Sequence, residues 1–391
     1  MLIKNGTIVL KDGLLRGDLR IEDGRITEIA PDIQVGTDSV TYAEGLYICP
    51  GFVDIHTHGG YGFDFMESSD EAFSAALAFH TESGTTTVVP TSCTSGKSDI
   101  INFLAYAKKY ISSPPDAIAR VPGVHLEGPY LSARNKGAQN PKFLAVPDVD
   151  DYSYMLEYKD VIKTVTLSPE LPGAEKMARE LSLAGITVSG GHDDGIYPEF
   201  VGTVDAGMTH LTHLYCAMSE LRFKDGVRNV GLREYALIED RLTAELIADN
   251  KHIIRELGMM IYHAKGSEKL CVVSDSLSAA GMPIDGRSYK IGAGEDAQRI
   301  VVSDGVARIA DTGTFAGSIT PVLKMVKNLV EWGIPLVEAV KMGSLIPARI
   351  IHEDHRIGSI EVGKLADICI TDKDLNVKSV LVGGEIIKSL F

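Results

Sequence analysis

Several histidines and acidic residues of this sequence fall at the ends of short apolar runs, where their side chains could meet in the folded protein. His56 and His58 lie two positions apart in an extended segment, so both point to the same side and can bind one ion. Glu127, His192 and His213 each end or follow a later apolar run. Imidazole and carboxylate groups suit zinc, iron or another divalent cation of intermediate softness. An HxH pair alone is a weak signal, but five such residues at strand ends predict a metal site.

Asp275 is the carboxylate at the end of the apolar run KLCVVSD. Beside a metal cation it would stay ionised, and it could take a proton from an attacking water and later return it to a leaving amine. Capping the N-terminus of a helix is the alternative role, because Ser and Asp favour that position. Taken alone, the residue is equally compatible with both roles, and the metal set favours the catalytic one.

The remaining histidines are interpreted without a metal. His80 and His263 lie in helical patterns and are expected to be packed or solvated. His125 shares a strand face with Glu127 one layer deeper, which predicts support of a ligand or packing inside the barrel. His210 precedes His213 by three positions on a strand and is expected to face the opposite way.

The elements that must position these residues alternate through the middle of the chain. Short β-branched runs alternate with helical patterns, which is typical of βα units and a mainly parallel sheet. Two helical segments are closed by Gly84 and Gly185, where glycine suits the position after a helix. Eight strands of this kind predict an α/β fold of the TIM-like (β/α)8 class, whose strands open at their C-terminal ends onto one face. The eight runs are GFVDI, TTTVVPT, VPGVHL, IKTVTL, ITVSGG, MTHLTHL, TAELIA and KLCVVS.

The two ends of the chain have a different sequence pattern. Residues 1–49 are predicted to form short strands broken by turns, with a DG hairpin signal in the segment DLRIEDGRITEIA. Residues 356–391 have the same pattern. The two pieces are expected to pair into one small sheet domain, which would bring the chain ends together. The barrel domain would then occupy residues 50–355 as an insertion.

Composition excludes several classes of function. The formal net charge is −15 and the sequence pI is near 5.2, so the chain would repel a phosphate backbone, and nucleic acid is not an expected partner. The start of the sequence has no signal-peptide pattern, and no apolar stretch approaches about 18 residues, which predicts a cytoplasmic protein that is not bound to a membrane. Its five cysteines are widely spaced and lack a CxxC pair, so they are expected to be reduced thiols.

Nearly every predicted strand end lies in one of a series of segments: PGFVDIHTHG, HLEGPYLSARNKGA, SGGHDD, THLYCAM, IADNKH, VVSDSLSAAG, TFAGS and GSIEVGKLADI. With these segments in this order, the chain resembles the N-acetylglucosamine-6-phosphate deacetylases of the amidohydrolase superfamily. The resemblance covers most of the chain. It implies a distorted TIM-like barrel with a small β-sandwich built from both termini, in agreement with the organisation described above.

The resemblance also implies roles for the residues at the strand ends. Glu127, His192 and His213 would be the principal metal ligands. Asp275 would be the general acid and base. Some members of the family replace the HxH pair and hold one ion, whereas this sequence keeps both histidines, so it allows a second ion bridged by Glu127. Zinc is the expected metal, with iron or another divalent ion as the alternative.

Substrate contacts are carried over from the same resemblance, with two departures. The family usually has an asparagine where this chain has Cys216, and its phosphate-binding arginine lies in an REPG loop where this chain reads RFKDGVRNVG. Lys224, Arg228 or Arg222 are the candidate substitutes, although lysine and arginine are not equivalent phosphate ligands. The resemblance places the other sugar contacts at Ala138, Cys216, Ala217, His252, Phe315, Ala316 and Gly317.

The sequence therefore predicts a metal-dependent amidohydrolase that removes the acetyl group of N-acetylglucosamine 6-phosphate and, by resemblance, acts as a homodimer. The altered phosphate-side residues leave other substrates open, namely N-acetylgalactosamine 6-phosphate, an unphosphorylated amino sugar or an N-acyl amino acid. A deaminase or cyclic-amide hydrolase is disfavoured, because the fourth strand ends in TLSPE and supplies no lysine. A sugar-sensing or metal-binding module without activity is the remaining alternative, against which the intact ligand set argues.

Overall fold

The N-terminal strands begin a sheet that the C-terminal strands later complete. The computed structural model describes residues 1–115, 118–147 and 149–389. The predicted DG turn is present and joins the second strand to the third as a tight hairpin. The strands are β1 (Leu2–Leu10), β2 (Gly13–Glu22), β3 (Arg25–Ala30), β4 (Val40–Tyr42) and β5 (Tyr47–Pro50).

All eight predicted barrel strands are present and form one parallel sheet, which confirms the TIM-like fold. Each strand pairs with the next barrel strand along the chain. The runs are continuously apolar or β-branched because such strands are covered on both faces, by helices outside and by side chains inside. The strands are β6 (Phe52–Thr57), β9 (Thr85–Ser92), β10 (Val124–Glu127), β11 (Ile162–Leu167), β12 (Thr187–Gly190), β13 (Met208–Leu211), β16 (Thr243–Leu246) and β17 (Leu270–Val272).

The barrel closes beside the residues that carry the predicted chemistry. The segment after β17 is joined to the end of β6 and the residues that follow it by backbone hydrogen bonds. Asp275 N donates to His56 O at 2.9 Å, and His58 N donates to Ser276 O at 2.8 Å. The first and last barrel strands therefore hold the HTH segment and Asp275 in a fixed register.

Helices follow most of the barrel strands. The helix after β6 begins at a Ser69 cap, whose hydroxyl accepts from the N–H of Ala72 at 3.1 Å. It ends just before Gly84, and a later helix ends just before Gly185, as predicted; both glycines have positive φ, 96° and 83°. None of the helices in the described part of the chain combines the length and apolar character that a membrane-spanning segment needs. The helices are α1 (Asp70–Glu82), α2 (Lys97–Ser112), α3 (Val149–Glu157), α4 (Ala174–Leu183), α5 (Val201–Asp205), α6 (Leu232–Ala236), α7 (Arg255–Lys265), α8 (Val322–Trp332), α9 (Leu336–Met342) and α10 (Leu345–Ile350).

Further strands lie in the loops that surround the mouth of the barrel. Two are short hairpins, and the third group is a four-stranded antiparallel sheet after β17. A bridge between Ser276 and Ser318 ties this sheet to the barrel end. The strands are β7 (Gly59–Gly60), β8 (Phe63–Asp64), β14 (Arg222–Lys224), β15 (Val227–Asn229), β18 (Ser288–Ile291), β19 (Gln298–Ser303), β20 (Val306–Ile309) and β21 (Phe315–Gly317).

The C-terminal strands β22 (Ile368–Thr371), β23 (Val377–Val382) and β24 (Glu385–Ser389) complete the terminal sheet. Its order is β24-β23-β22-β5-β1-β2-β3, with β4 beside β1. The sheet has its own apolar core, distinct from that of the barrel. Both chain ends thus build one mixed sheet, as predicted, and the domain boundaries at residues 49/50 and 355/356 stay a prediction.

Candidate metal centre and active site

The candidate site lies at the C-terminal ends of the barrel strands. Strands β6 and β10, and the turns that follow β12, β13 and β17, each contribute to it. The side chains are nearly inaccessible to solvent, each residue being at most 7% exposed. The structure brings together His56, His58, Glu127, His192, His213 and Asp275.

Glu127, His192 and His213 form what we call the first cluster. Glu127 Oε1 lies 3.0 Å from the Nε2 atoms of both histidines, and those two Nε2 atoms are 3.1 Å apart. Ligand atoms at about 2.0–2.1 Å from a tetrahedral zinc ion are about 3.3 Å from one another. The spacing of the first cluster therefore fits one shared divalent ion.

His56, His58 and Glu127 form the second cluster. His58 Nε2 lies 3.4 Å from Glu127 Oε2, and His56 Nε2 lies 3.6 Å from Glu127 Oε1. Asp275 Oδ1 is 3.3 Å from His58 Nε2 and 3.6 Å from His56 Nε2. Glu127 belongs to both clusters, which is the arrangement of a bridging carboxylate, and Asp275 lies beside the second one.

Hydrogen bonds at the far side of the rings indicate which nitrogen carries the proton. His192 Nδ1 lies 2.9 Å from the carbonyl oxygen of Asn135, which can only accept, so Nδ1 is protonated and Nε2 has a lone pair. His56 Nδ1 makes a corresponding contact with Glu245 Oε2 at 2.8 Å. His56 Nε2 is buried without a hydrogen-bond partner among the described residues, and it faces two carboxylates. Lone pairs and carboxylates that converge in this way fit a divalent cation.

The Glu127 carboxylate is held in a fixed orientation by a neighbouring amide. Gln139 fixes the second carboxylate oxygen, since its amide nitrogen donates to Glu127 Oε2 at 2.5 Å. Gln139 Oε1 in turn accepts from the backbone N–H of Thr94 at 2.7 Å. The carboxylate is therefore oriented before any ion binds.

Asp275 reaches the site from a strained turn. Its φ is 44°, a left-handed conformation that costs a non-glycine residue about 1–3 kcal/mol. His192 and His213 share this feature, with φ values of 49° and 31°. The conformation of Asp275 is fixed from both sides, because its N–H donates to His56 O and its carbonyl oxygen accepts from Ser318 N at 2.8 Å. Strain at three site residues is typical of functional positions.

A cavity of about 520 Å³, here called the mouth cavity, opens above the two clusters. Its volume lies within the range of about 300–1,000 Å³ that is usual for small-molecule sites. One wall is ordered by His252, whose Nδ1 lies 2.8 Å from Asp249 Oδ2 and whose ring centroid is 5.1 Å from that of Phe315. Seven of the predicted substrate contacts line the cavity: Ala138, Cys216, Ala217, His252, Phe315, Ala316 and Gly317.

Two predicted substrate contacts, Lys224 and Arg228, do not line the mouth cavity. Both are exposed on the β14–β15 hairpin, where Lys224 Nζ lies 3.3 Å from a Glu199 carboxylate oxygen. Arg222, at the base of the hairpin, contacts the carboxylate of Asp194. The loop folds as a separate hairpin, so the structure does not bring these side chains to the cavity of their own chain.

Two cations that the sequence analysis did not assign, Arg134 and Lys136, line the mouth cavity. Lys136 forms no ion pair with any residue that the structure describes, and its Nζ lies 3.3 Å from the carbonyl oxygen of Gly137. Arg134 lies 3.5 Å from Asp194, with 67% of its side chain exposed. The available signal was the position of both residues in the segment SARNKGA, which carries the family resemblance.

The barrel interior below the clusters contains further histidines and a carboxylate. The His125 ring packs 4.7 Å from that of His56, and its Nε2 lies 2.7 Å from Thr166 Oγ1, which is compatible with both expected roles, support of His56 and packing inside the barrel. His210 Nε2 lies 3.4 Å from Glu245 Oε1, away from both clusters. The sequence analysis missed Glu245, although a carboxylate inside the apolar run TAELIA was a signal that could have identified it.

Similarity to known proteins extends over almost the whole chain. The amidohydrolase family model matches residues 47–387. The chain is 33% identical over 371 residues to the N-acetylgalactosamine-6-phosphate deacetylase of Escherichia coli O157:H7, covering 94% of each chain. It is 32% identical over 400 residues to the N-acetylglucosamine-6-phosphate deacetylase of Bacillus subtilis, covering 99% of this chain and 96% of the relative.

Solved structures give the same grouping. The N-acetylglucosamine-6-phosphate deacetylase of Pasteurella multocida matches with a TM-score of 0.91 at 29% identity, covering 99% of both chains. A variant of the Mycobacterium smegmatis enzyme in complex with N-acetyl-D-glucosamine-6-phosphate matches with a TM-score of 0.90 at 28% identity, covering 100% of this chain and 99% of that one. The chain therefore belongs to the amidohydrolase family, in the group that contains the N-acetylglucosamine-6-phosphate deacetylases.

Proposed function

We propose that this chain hydrolyses the acetamide of N-acetylglucosamine 6-phosphate to glucosamine 6-phosphate and acetate. The observation that carries the proposal is the pair of ligand clusters that share Glu127, with Asp275 beside them, at the floor of a cavity large enough for a sugar. Full-length similarity to deacetylases of N-acetylated amino-sugar phosphates supports it. The substrates in both names contain an acetamide. The C–N bond of this acetamide is the bond that the proposed enzyme breaks.

The residues around the clusters have distinct parts in this reaction. A divalent ion would supply polarisation of the acetamide carbonyl and a lower pKa for water. Asp275 accepts a proton from the attacking water and donates it to the nitrogen as the C–N bond breaks, so that the amine leaves without a negative charge. His252, held through Nδ1 by Asp249, directs Nε2 to a sugar hydroxyl or phosphate oxygen. The strand Phe315–Gly317 forms a wall that closes over the substrate.

We propose zinc as the ion, with iron or another divalent metal as the alternative. The family implies a divalent metal, and a donor set of imidazoles with one shared carboxylate suits zinc. Two clusters that share Glu127 allow two ions per chain. One ion in the first cluster is the minimum that the proposed reaction requires.

Recognition of the 6-phosphate is proposed to depend on Lys136, a cation that lines the mouth cavity and forms no ion pair with the described residues. Cys216 lacks the amide of the family's asparagine and cannot supply the same contact. Replacing Lys136 with alanine should raise KM for the phosphorylated substrate about 10- to 100-fold, because a hydrogen bond to a charged group contributes about 1.5–3 kcal/mol. Activity on unphosphorylated N-acetylglucosamine should hardly change. Steady-state acetate release from the two sugars measures the difference.

The matched control is Lys142→Ala. Lys142 is exposed and pairs with Asp296 at 2.8 Å, and it does not line the cavity. The Lys142→Ala substitution should leave KM for both sugars unchanged. If the Lys136→Ala protein loses activity equally on both sugars, Lys136 does not recognise the phosphate.

N-acetylgalactosamine 6-phosphate is the second candidate substrate, because the relative at 33% identity carries that name. Acetate release by zinc-loaded protein should be compared across both phosphorylated sugars, unphosphorylated N-acetylglucosamine and an N-acetyl amino acid. We expect the highest kcat/KM with N-acetylglucosamine 6-phosphate. The highest value with the galactosamine epimer would assign that substrate, and no acetate release from any compound by metal-loaded protein would contradict a deacetylase function.

We propose that the protein is a cytoplasmic homodimer and that neither nucleic acid nor a membrane is its partner. The β14–β15 hairpin presents Phe223 and Val227 with 71% and 59% exposure, an apolar surface that a second copy could cover. The five cysteines are free thiols, in keeping with a reducing compartment. The net charge of −15 disfavours nucleic acid.

A further inference from the structure

Glu245, in barrel strand β16, is a buried carboxylate that the proposed reaction does not use. Its side chain is 1% exposed, and it is not among the residues that line the mouth cavity. Three N–H groups meet it: His56 Nδ1 at 2.8 Å and the backbone N of His213 at 2.9 Å from Oε2, and His210 Nε2 at 3.4 Å from Oε1. A buried carboxylate is tolerated when such donors offset its lost hydration.

The contact with His56 decides which of its ring nitrogens is protonated. An imidazole nitrogen at 2.8 Å from a carboxylate oxygen donates its proton, so His56 carries hydrogen at Nδ1 and a lone pair at Nε2. That lone pair faces Glu127 Oε1 and Asp275 Oδ1, each at 3.6 Å. This tautomer is the one that can ligate an ion in the second cluster.

The first cluster does not depend on Glu245 in this way. The protonation of His192 is fixed by the carbonyl oxygen of Asn135, 2.9 Å from its Nδ1. His213 meets Glu245 through its backbone N, while its ring Nε2 faces Glu127. Loss of the Glu245 carboxylate should therefore act on His56 and the second cluster.

We propose that Glu245 determines how many divalent ions the chain holds. By keeping His56 protonated at Nδ1, it makes the second cluster a cation site beside the first. The inference rests on the proposed metal centre and names the residue on which its second ion depends. Glu245 is a positioning residue, because it acts through His56 and contacts neither the cavity nor a ligand atom of either cluster.

Two substitutions at this position test the inference by metal content. Glu245→Leu removes every acceptor, and we expect it to bind one zinc ion per chain where the wild type binds two. Glu245→Gln keeps a carbonyl oxygen that can accept from His56 and from the backbone of His213, but it loses the negative charge that makes the His56 ring a stronger ligand. It should bind the second ion about 10- to 100-fold more weakly and the first ion unchanged. Elemental analysis counts the ions, and competition with a chelating dye gives both affinities.

A second readout reports on His56 directly. In zinc-loaded protein, NMR should show an exchange-protected Nδ1 proton of His56, assigned by its absence in His56→Asn, and this signal should be lost in Glu245→Leu. Thr243→Val is the matched control. Thr243 Oγ1 lies 2.8 Å from His210 Nδ1, on the far side of the same carboxylate. The control should keep two ions and the protected proton.

Each outcome decides the inference. A folded Glu245→Leu protein that binds two ions with wild-type affinity overturns it. If that variant does not fold or binds no ion, Glu245→Gln decides, and either unchanged affinities or equal weakening of both ions overturns the inference. A wild-type chain that binds a single ion also overturns it but leaves the first cluster in place, whereas a wild-type chain that binds none removes the proposed metal centre itself.

Discussion

Replacing Asp275 with asparagine should lower kcat for acetate release by at least ~10²-fold, the usual contribution of a general acid or base. Asparagine keeps the size of the side chain but can neither take a proton from water nor return it to the amine. Asp275 lies beside the second cluster and is not a member of the first. The ion of the first cluster, measured by elemental analysis, should therefore stay bound while turnover falls.

The matched control for this substitution is Asp285→Asn. Asp285 is an exposed carboxylate that pairs with Arg287 and does not line the mouth cavity. The Asp285→Asn substitution should leave kcat and KM unchanged. Near-normal turnover in a metal-replete Asp275→Asn protein would remove Asp275 from the mechanism.

The second large effect is expected from replacing Glu127 with glutamine. Because Glu127 belongs to both clusters, the substitution removes one negative charge from each. Zinc affinity should fall by more than the ~10- to 100-fold typical of residues that only orient a ligand, and turnover at limiting zinc should fall with it. Competition with a chelating dye measures the dissociation constant.

Gln139→Ala provides the graded comparison for Glu127→Gln. Gln139 donates to Glu127 Oε2 at 2.5 Å but is not a member of either cluster. It should weaken zinc binding by about 10- to 100-fold, a smaller loss than that of Glu127→Gln. Circular dichroism should show that both variants are folded. Wild-type zinc affinity in folded Glu127→Gln would mean that Glu127 is not a ligand.

The barrel and the location of the site could be predicted from local patterns. Runs such as KLCVVSD are continuously apolar because parallel barrel strands are buried on both faces, and a polar residue at the end of such a run marks the point where the strand leaves the core. Once eight runs indicate a barrel, all strand ends share one face. The convergence of His56 and Asp275 therefore required only the fold class.

Contacts between side chains of different strands could not be predicted in the same way. His56 and Glu245 are 189 positions apart, and no local pattern tells which neighbour a buried carboxylate will meet. The left-handed backbone at His213 is likewise fixed by contacts between strands and not by its own residue type.

The phosphate-side residues show the limit of resemblance where the sequence departs from the family. The resemblance assigns Lys224 and Arg228 from the position of the loop, yet the residues between them contain a DG turn signal. Asp225 and Gly226 have φ values of 55° and 79°, and they close the β14–β15 hairpin, which leaves both cations exposed. Local turn chemistry therefore predicts the conformation of this segment, and the contact of Lys224 and Arg228 with substrate stays a prediction.

The most direct test of the central claim is anomalous X-ray diffraction at the zinc absorption edge, from crystals of zinc-loaded protein. We predict a peak bonded to Glu127 and to the Nε2 atoms of His192 and His213, with the Asp275 carboxylate nearby. Zinc bound only elsewhere on the protein, with no peak among these side chains, would contradict a metal-dependent deacetylase centre at this site.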